Sequence, residues 1–197
     1  MVISLNETAL VPMDFQNEIL ANLEDDVARR CLTNARSAID LMRKQSGLIV
    51  HGCIEYRENY IDASPQNKRA RVHISKEALL HGTPGAAIHE DVTPGPGEYV
   101  VRKRRASMLT DTDCAPILRA RGIRSLVLMG VTTSGCVLST VRQAADLDFN
   151  IVVLSDACAD GNPAAHDALM KEVFPLQGEV MTANEFRDAI MSNGNDA

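Results

Sequence analysis

Three side chains capable of chemistry stand where an apolar run ends. Asp14 follows "TALVPM", Lys103 closes "EYVVRK", and Cys136 lies just past "IRSLVLMG" in the stretch "VTTSGCVLSTVRQAADL". A thiol attacks a carbonyl carbon as its thiolate, yet a free cysteine is mostly protonated at neutral pH. A carboxylate in reach can take the thiol proton and later hand it to a leaving group. An ammonium, or the N-terminal turn of a helix with its unpaired N–H groups, favours the thiolate. Together the three would make a nucleophilic site for acyl chemistry. Singly, each has a plainer reading: a buried cysteine, a solvated lysine and a helix-capping aspartate.

Whether they meet depends on the elements that carry them. Apolar runs at 8–13, 47–52, 98–103, 123–130 and 150–157 read as strands, and Pro12 suggests that the first run is near its end. Helical periods fall between them, at 24–44, 112–121, 134–147 and 163–173. A short strand and a helix close the pattern, where Thr182 and Glu185 form a capping box that Met181 and Phe186 could staple. Strands alternating with helices predict right-handed crossovers and a mainly parallel sheet of about six strands. Helices cover both faces, giving a single-domain three-layer αβα sandwich over residues 1–197. In such sheets ligands sit at the carboxyl ends of the strands, where Asp14, Lys103 and the Cys136 segment all fall. Between residues 53 and 97, Gly, Pro, Asn and Asp dominate, and the stretch reads as long functional loops.

The whole chain narrows the function classes. At 197 residues it suits one domain that buries roughly 70% of its unfolded surface. A net charge of −6 offers no basic footprint for nucleic acid or an anionic membrane, and no run reaches the length of a membrane span. The first residues lack the n- and h-regions of a signal peptide. The five cysteines are odd in number and have no CxxC pair, which points away from disulfides and zinc and toward a reducing cytoplasm. His51, His73, His81, His89 and His166 are scattered, so no metal or other cofactor is expected.

The segments "ALVPMDFQNEIL", "HGTPGAAIHEDVTPGPGEYVV" and the block from Lys103 to Asp160 resemble the isochorismatase-like cysteine hydrolases, over nearly the whole chain from Thr8 to about Phe186. The resemblance implies a parallel α/β sheet and the catalytic set Asp14, Lys103 and Cys136. It also implies a cis peptide joining Val131 to Thr132, with the amides of Thr132 and Cys136 facing the oxyanion. Gln16 of the family's D-x-Q-N turn, Thr133 and Leu109 are implied as substrate contacts, Leu109 standing where the family often has Phe. Ser107 follows Lys103 at the family's offset, and homo-oligomers, dimers or tetramers, are common among members.

The metal-binding Asp-x-His of nicotinamidases is missing after the second strand; "HGCIEYRENYIDASPQNK" stands there instead. Nicotinamide is therefore not the expected substrate. One guanidinium of the run Arg102, Arg104 and Arg105 beside Lys103, taken as Arg105, is a candidate to grip a carboxylate bidentately; Arg57 in the long loop is a second candidate, and Tyr56 and Tyr60 could line the same pocket or pin the loop. The expectation is a metal-independent hydrolase that cleaves a C–N amide or ureido bond of a small carboxylate-bearing molecule through a thioester. The alternatives are vinyl-ether hydrolysis of the isochorismate type, which has no strict need for a thiol, and a non-catalytic member of the fold.

Overall fold

Six strands form at the apolar runs because a parallel sheet covered on both faces needs side chains that shed water on both sides. The computed structural model describes residues 3–193. The strands are β1 (Thr8–Met13), β2 (Leu48–Ile54), β3 (Tyr99–Lys103), β4 (Ser125–Val131), β5 (Asn150–Ala159) and β6 (Glu179–Met181). Each neighbouring pair is parallel and the order is β3-β2-β1-β4-β5-β6. β1 is buried along its whole length. Its ladder to β2 skips Val11 and Pro12, where proline supplies no N–H, while its ladder to β4 is continuous.

The helices are α1 (Asn17–Leu20), α2 (Asp25–Lys44), α3 (Lys68–Ser75), α4 (Cys114–Ala120), α5 (Leu138–Ala145), α6 (Pro163–Ala168) and α7 (Ala183–Asn193). α2 buries Cys31, Leu32, Ala35, Ala38, Ile39 and Met42 on one stripe. Asp25 and Asp26 in its first turn and Arg43 and Lys44 in its last suit the helix dipole. Right-handed crossovers put α2, between β1 and β2, on one face and α5, between β4 and β5, on the other, because the strand order runs in opposite directions from β1. The capping box forms: Thr182 N–H donates to Glu185 Oε2 at 2.7 Å and Glu185 N–H to Thr182 Oγ1 at 3.2 Å. All five cysteines are free and buried. Among the described residues no helix is long and apolar enough to cross a membrane.

One departure matters for the site. The stretch 53–97 holds α3 and a small apolar cluster that includes Tyr56, Ala70 and Leu79. Asn67 caps α3, its side chain accepting from Arg69 N–H at 2.9 Å and Ala70 N–H at 3.2 Å. Ala70 and Ile74, one turn apart, form the whole apolar stripe of this short helix, and basic neighbours hide it in the sequence.

Where the strand order reverses, β1 and β4 lie side by side, Met13 opposite Gly130. A Cβ on Gly130 would stand 2.4 Å from the carbonyl oxygen of Met13, a backbone atom that cannot move away. Gly130→Ala is therefore expected to lower unfolding free energy by about 1–3 kcal/mol. A urea midpoint equal to that of the parent chain would contradict this close approach.

Candidate active site

Reversal of strand order makes a crevice at the carboxyl ends of β1 and β4, the place where open α/β sheets bind ligands. Asp14 follows β1, Cys136 follows β4, and Lys103 ends β3, with β2 between β1 and β3. Asp14 adopts a left-handed conformation (φ 58°), and its N–H donates to Gly52 O at 2.8 Å, which ties it to β2. Lys103 pairs in register with Ile54. Its Nζ donates to Asp14 Oδ2 at 2.7 Å and to the carbonyl of Arg105 at 3.2 Å. The lysine side chain is wholly buried and the aspartate nearly so, which makes this an ion pair sealed from water.

Cys136 sits in a wide helical turn, Thr133–Val137, that leads into α5. Such π-type turns often mark functional positions. Its Sγ–H donates to Thr132 O at 3.6 Å. Asp14 Oδ1 is buried and, among the described residues, has no hydrogen-bond partner at ordinary geometry, though the Cys136 thiol and the Ile54 N–H are near enough to act on the carboxyl as weak donors. The Val131–Thr132 peptide is cis. Asp14, Lys103, Thr132 and Cys136 all line one cavity of about 760 Å³.

The electrostatics differ from the sequence expectation in one respect. Burial pushes the Cys136 thiol well above its ordinary pKa, the charge of Asp14 adds to the rise, and only Lys103 opposes it. A helix-end thiolate is therefore not the resting state. Burial also lifts Asp14 above its ordinary value, against the pull of the Lys103 ammonium. A carboxylate so lifted is a stronger base than an exposed one, and it adjoins a thiol that still holds its proton.

The other expected contacts fall in different places. Arg105 lines the cavity. Gln16 does not, since its amide is consumed by the backbone: Nε2 donates to Ile54 O at 2.9 Å and Ala86 O at 2.7 Å, and Oε1 accepts from Ile54 N–H at 2.9 Å. Arg57 points into solvent beside Asp62, and the Tyr60 hydroxyl donates to Ala78 O at 2.9 Å. Leu109 is buried in the main core. Thr133 turns away, its hydroxyl 2.8 Å from His166 Nδ1, and the Ser107 hydroxyl donates to Gln143 Oε1 at 2.6 Å.

Residues that the sequence did not suggest stand in the cavity wall instead. Arg69, His73 and Lys76, spaced by four and three along α3 and its end, line it from the flank beside the apolar stripe. Tyr56, which the sequence did suggest for the pocket, lines it with them, its hydroxyl 3.1 Å from His73 Nδ1. Asp160 Oδ2 accepts from Ser134 N–H at 2.8 Å and Ser134 Oγ–H at 2.6 Å, fastening the loop ahead of Cys136. Asp160 closes the "SDACAD" run after β5, and the strand-end rule used for the other three positions would have found it.

Residues 8–185 match the isochorismatase domain model. The chain belongs to the isochorismatase family. It is 30% identical to the ureidoacrylate amidohydrolase RutB of Agrobacterium fabrum, over 92% of this chain and 89% of that one. It is likewise 30% identical to the maleamate amidohydrolase of Pseudomonas putida, over 77% and 70% of the two chains. Among solved family structures, the N-carbamoylsarcosine amidase of Thermoplasma acidophilum superposes with a TM-score of 0.75 at 25% identity, covering 90% of this chain and 97% of that one. As a member of this family the chain is a hydrolase acting on small molecules.

The buried ion pair generates a test. Lys103→Met leaves the Asp14 carboxylate without its counter-ion, a change that costs about 3–5 kcal/mol in buried pairs. Because the folded-state pKa of Asp14 is raised, protonation of that group favours the fold, and the benefit fades as pH rises through the folded-state value. Losing the lysine removes what opposes burial and lifts that value further. The variant's stability deficit is expected to be large at pH 8 and to shrink toward pH 5. Denaturation curves that show a deficit independent of pH would contradict the pairing.

Proposed function

We propose that the chain cleaves a C–N amide or ureido bond of a small carboxylate-bearing molecule through a thioester on Cys136, without a metal ion. The single observation that supports it most is the placing of a proton-bearing thiol beside a carboxylate that is itself locked to an ammonium. The names of the ureidoacrylate, maleamate and carbamoylsarcosine relatives support the bond type.

Asp14 takes the thiol proton as Sγ bonds to the carbonyl carbon. Charge gathers on the carbonyl oxygen, where the N–H groups of Thr132 and Cys136 are assigned to receive it, each donor worth about 3 kcal/mol in the transition state. Protonated Asp14 then gives its proton to the departing nitrogen, the C–N bond breaks, and ammonia or an amine leaves. Water, deprotonated by Asp14, attacks the thioester and releases the acid and the thiol. Throughout, Lys103 holds the carboxylate in place and offsets its charge while the thiolate forms, so that attack and proton transfer occur at one fixed geometry.

Cys136→Ala is expected to reduce ammonia release from ureido acids and amic acids by about 10³-fold or more, with the unfolding transition preserved. Asp14→Asn is expected to do the same. Turnover of a vinyl ether that survives Cys136→Ala but not Asp14→Asn would favour the rival chemistry, in which the thiol has no part.

A further inference from the structure

The cavity wall facing the nucleophile loop carries more positive charge than its neighbours offset. Arg104 is neutralised by Asp62, at 2.6 Å, and Lys103 by Asp14, at 2.7 Å. Arg69, Lys76 and Arg105 also line the cavity, and none of them forms an ion pair among the described residues. The carboxylates of Glu18 and Asp160 on the same cavity are engaged elsewhere, with Leu79 N–H at 3.0 Å and with Ser134. This excess stands out on a chain whose net charge is −6. Uncompensated guanidinium groups facing a cavity are poised for an anion.

Arg69 and Arg105 come from different elements and line the same cavity; the charges of both reach the Tyr56 hydroxyl, where burial and the charges of Asp62 and Asp14 oppose them. Tyr56 is fixed there by ring contacts with Tyr60 and His73, at 5.6 and 5.7 Å between centroids. Arg105 is tied to the catalytic centre, since its own carbonyl accepts from Lys103 Nζ at 3.2 Å. One of its guanidinium nitrogens, Nη1, donates to Arg104 O at 2.9 Å; its other nitrogens make no hydrogen bond among the described residues.

We infer that Arg69 of α3 and Arg105 after β3, which line one cavity without an ion-pair partner among the described residues, form a receptor for the substrate carboxylate, with the scissile carbonyl lying toward Cys136. The inference rests on the hydrolytic reading above and adds the residues that select an acid over its neutral counterpart. Arg69 is a specificity determinant that lies within a stretch whose composition reads as loop; Arg105 was already a candidate from the sequence, whereas Arg57, the other guanidinium it suggested, has no part in the receptor.

The test uses Cys136→Ala protein, so that ligands are held without cleavage, and calorimetric titration with two matched pairs: maleamate against maleamide, and 3-ureidopropionate against its methyl ester. At least one acid is expected to bind about ten-fold or more tightly than its neutral partner. Adding Arg69→Gln or Arg105→Gln should remove most of that preference, and the double replacement all of it. Lys171→Gln, which deletes a remote charge of the same sign, should leave it unchanged. Equal binding of acid and neutral partner, including binding of neither, overturns the receptor, as does a preference that survives the double replacement. Failure of the hydrolytic reading itself shows separately, as ammonia release that persists in Cys136→Ala.

Discussion

A carboxylate and an ammonium, 2.7 Å apart and closed off from water, are the constraint around which this molecule is arranged. Removing two charges from water costs several kcal/mol each, and only close geometry with further hydrogen bonds recovers it. The fold supplies that geometry from its most rigid parts. Lys103 is the last residue of a strand held in register with β2, and Asp14 is tied by its own N–H to the next rung. Gln16, two residues on, joins the ends of β1 and β2 to the loop at Ala86 with three hydrogen bonds. Its buried amide is thus a fastener for the pair rather than a ligand for substrate.

The pair in turn decides how the nucleophile is managed. Many reactive cysteines are kept as thiolates by a positive surrounding. Here burial and the adjacent carboxylate push the thiol's pKa up, so in the proposed mechanism its proton moves as the carbonyl arrives. That arrangement holds acid–base capacity and nucleophile in one buried cluster. It also gives the loop before Cys136 its significance, since Asp160 holds Ser134 at the cavity and His166 holds Thr133 turned away from it. The small residues there let the chain turn tightly: a Cβ on Gly135 would stand 2.6 Å from Thr132 Oγ1.

Much of this was legible in the sequence for a physical reason. Strands buried on both faces must be apolar runs, and crevices in such sheets lie at strand ends, so Asp14, Lys103 and Cys136 could be named from position alone. The strand order could not, because it depends on which runs pair across long crossovers. Nor could the direction of a side chain: Thr133 and Ser134 are neighbours, yet one faces His166 and the other Asp160. α3 was invisible because its apolar stripe is two residues long and is broken up by Lys68, Arg69 and Arg71. One of the charges that hid the helix, Arg69, also faces the cavity.

The account's central claim is that the bond is broken on sulfur. It is tested most directly by intact-mass and peptide mass spectrometry of protein quenched in acid during turnover of a ureido or amic acid. The account predicts an added acyl mass confined to the peptide that contains Cys136 and absent from Asp14→Asn protein. Turnover at full rate with the acyl mass on another residue, or with hydrolysis undiminished when Cys136 is replaced by alanine, would contradict it.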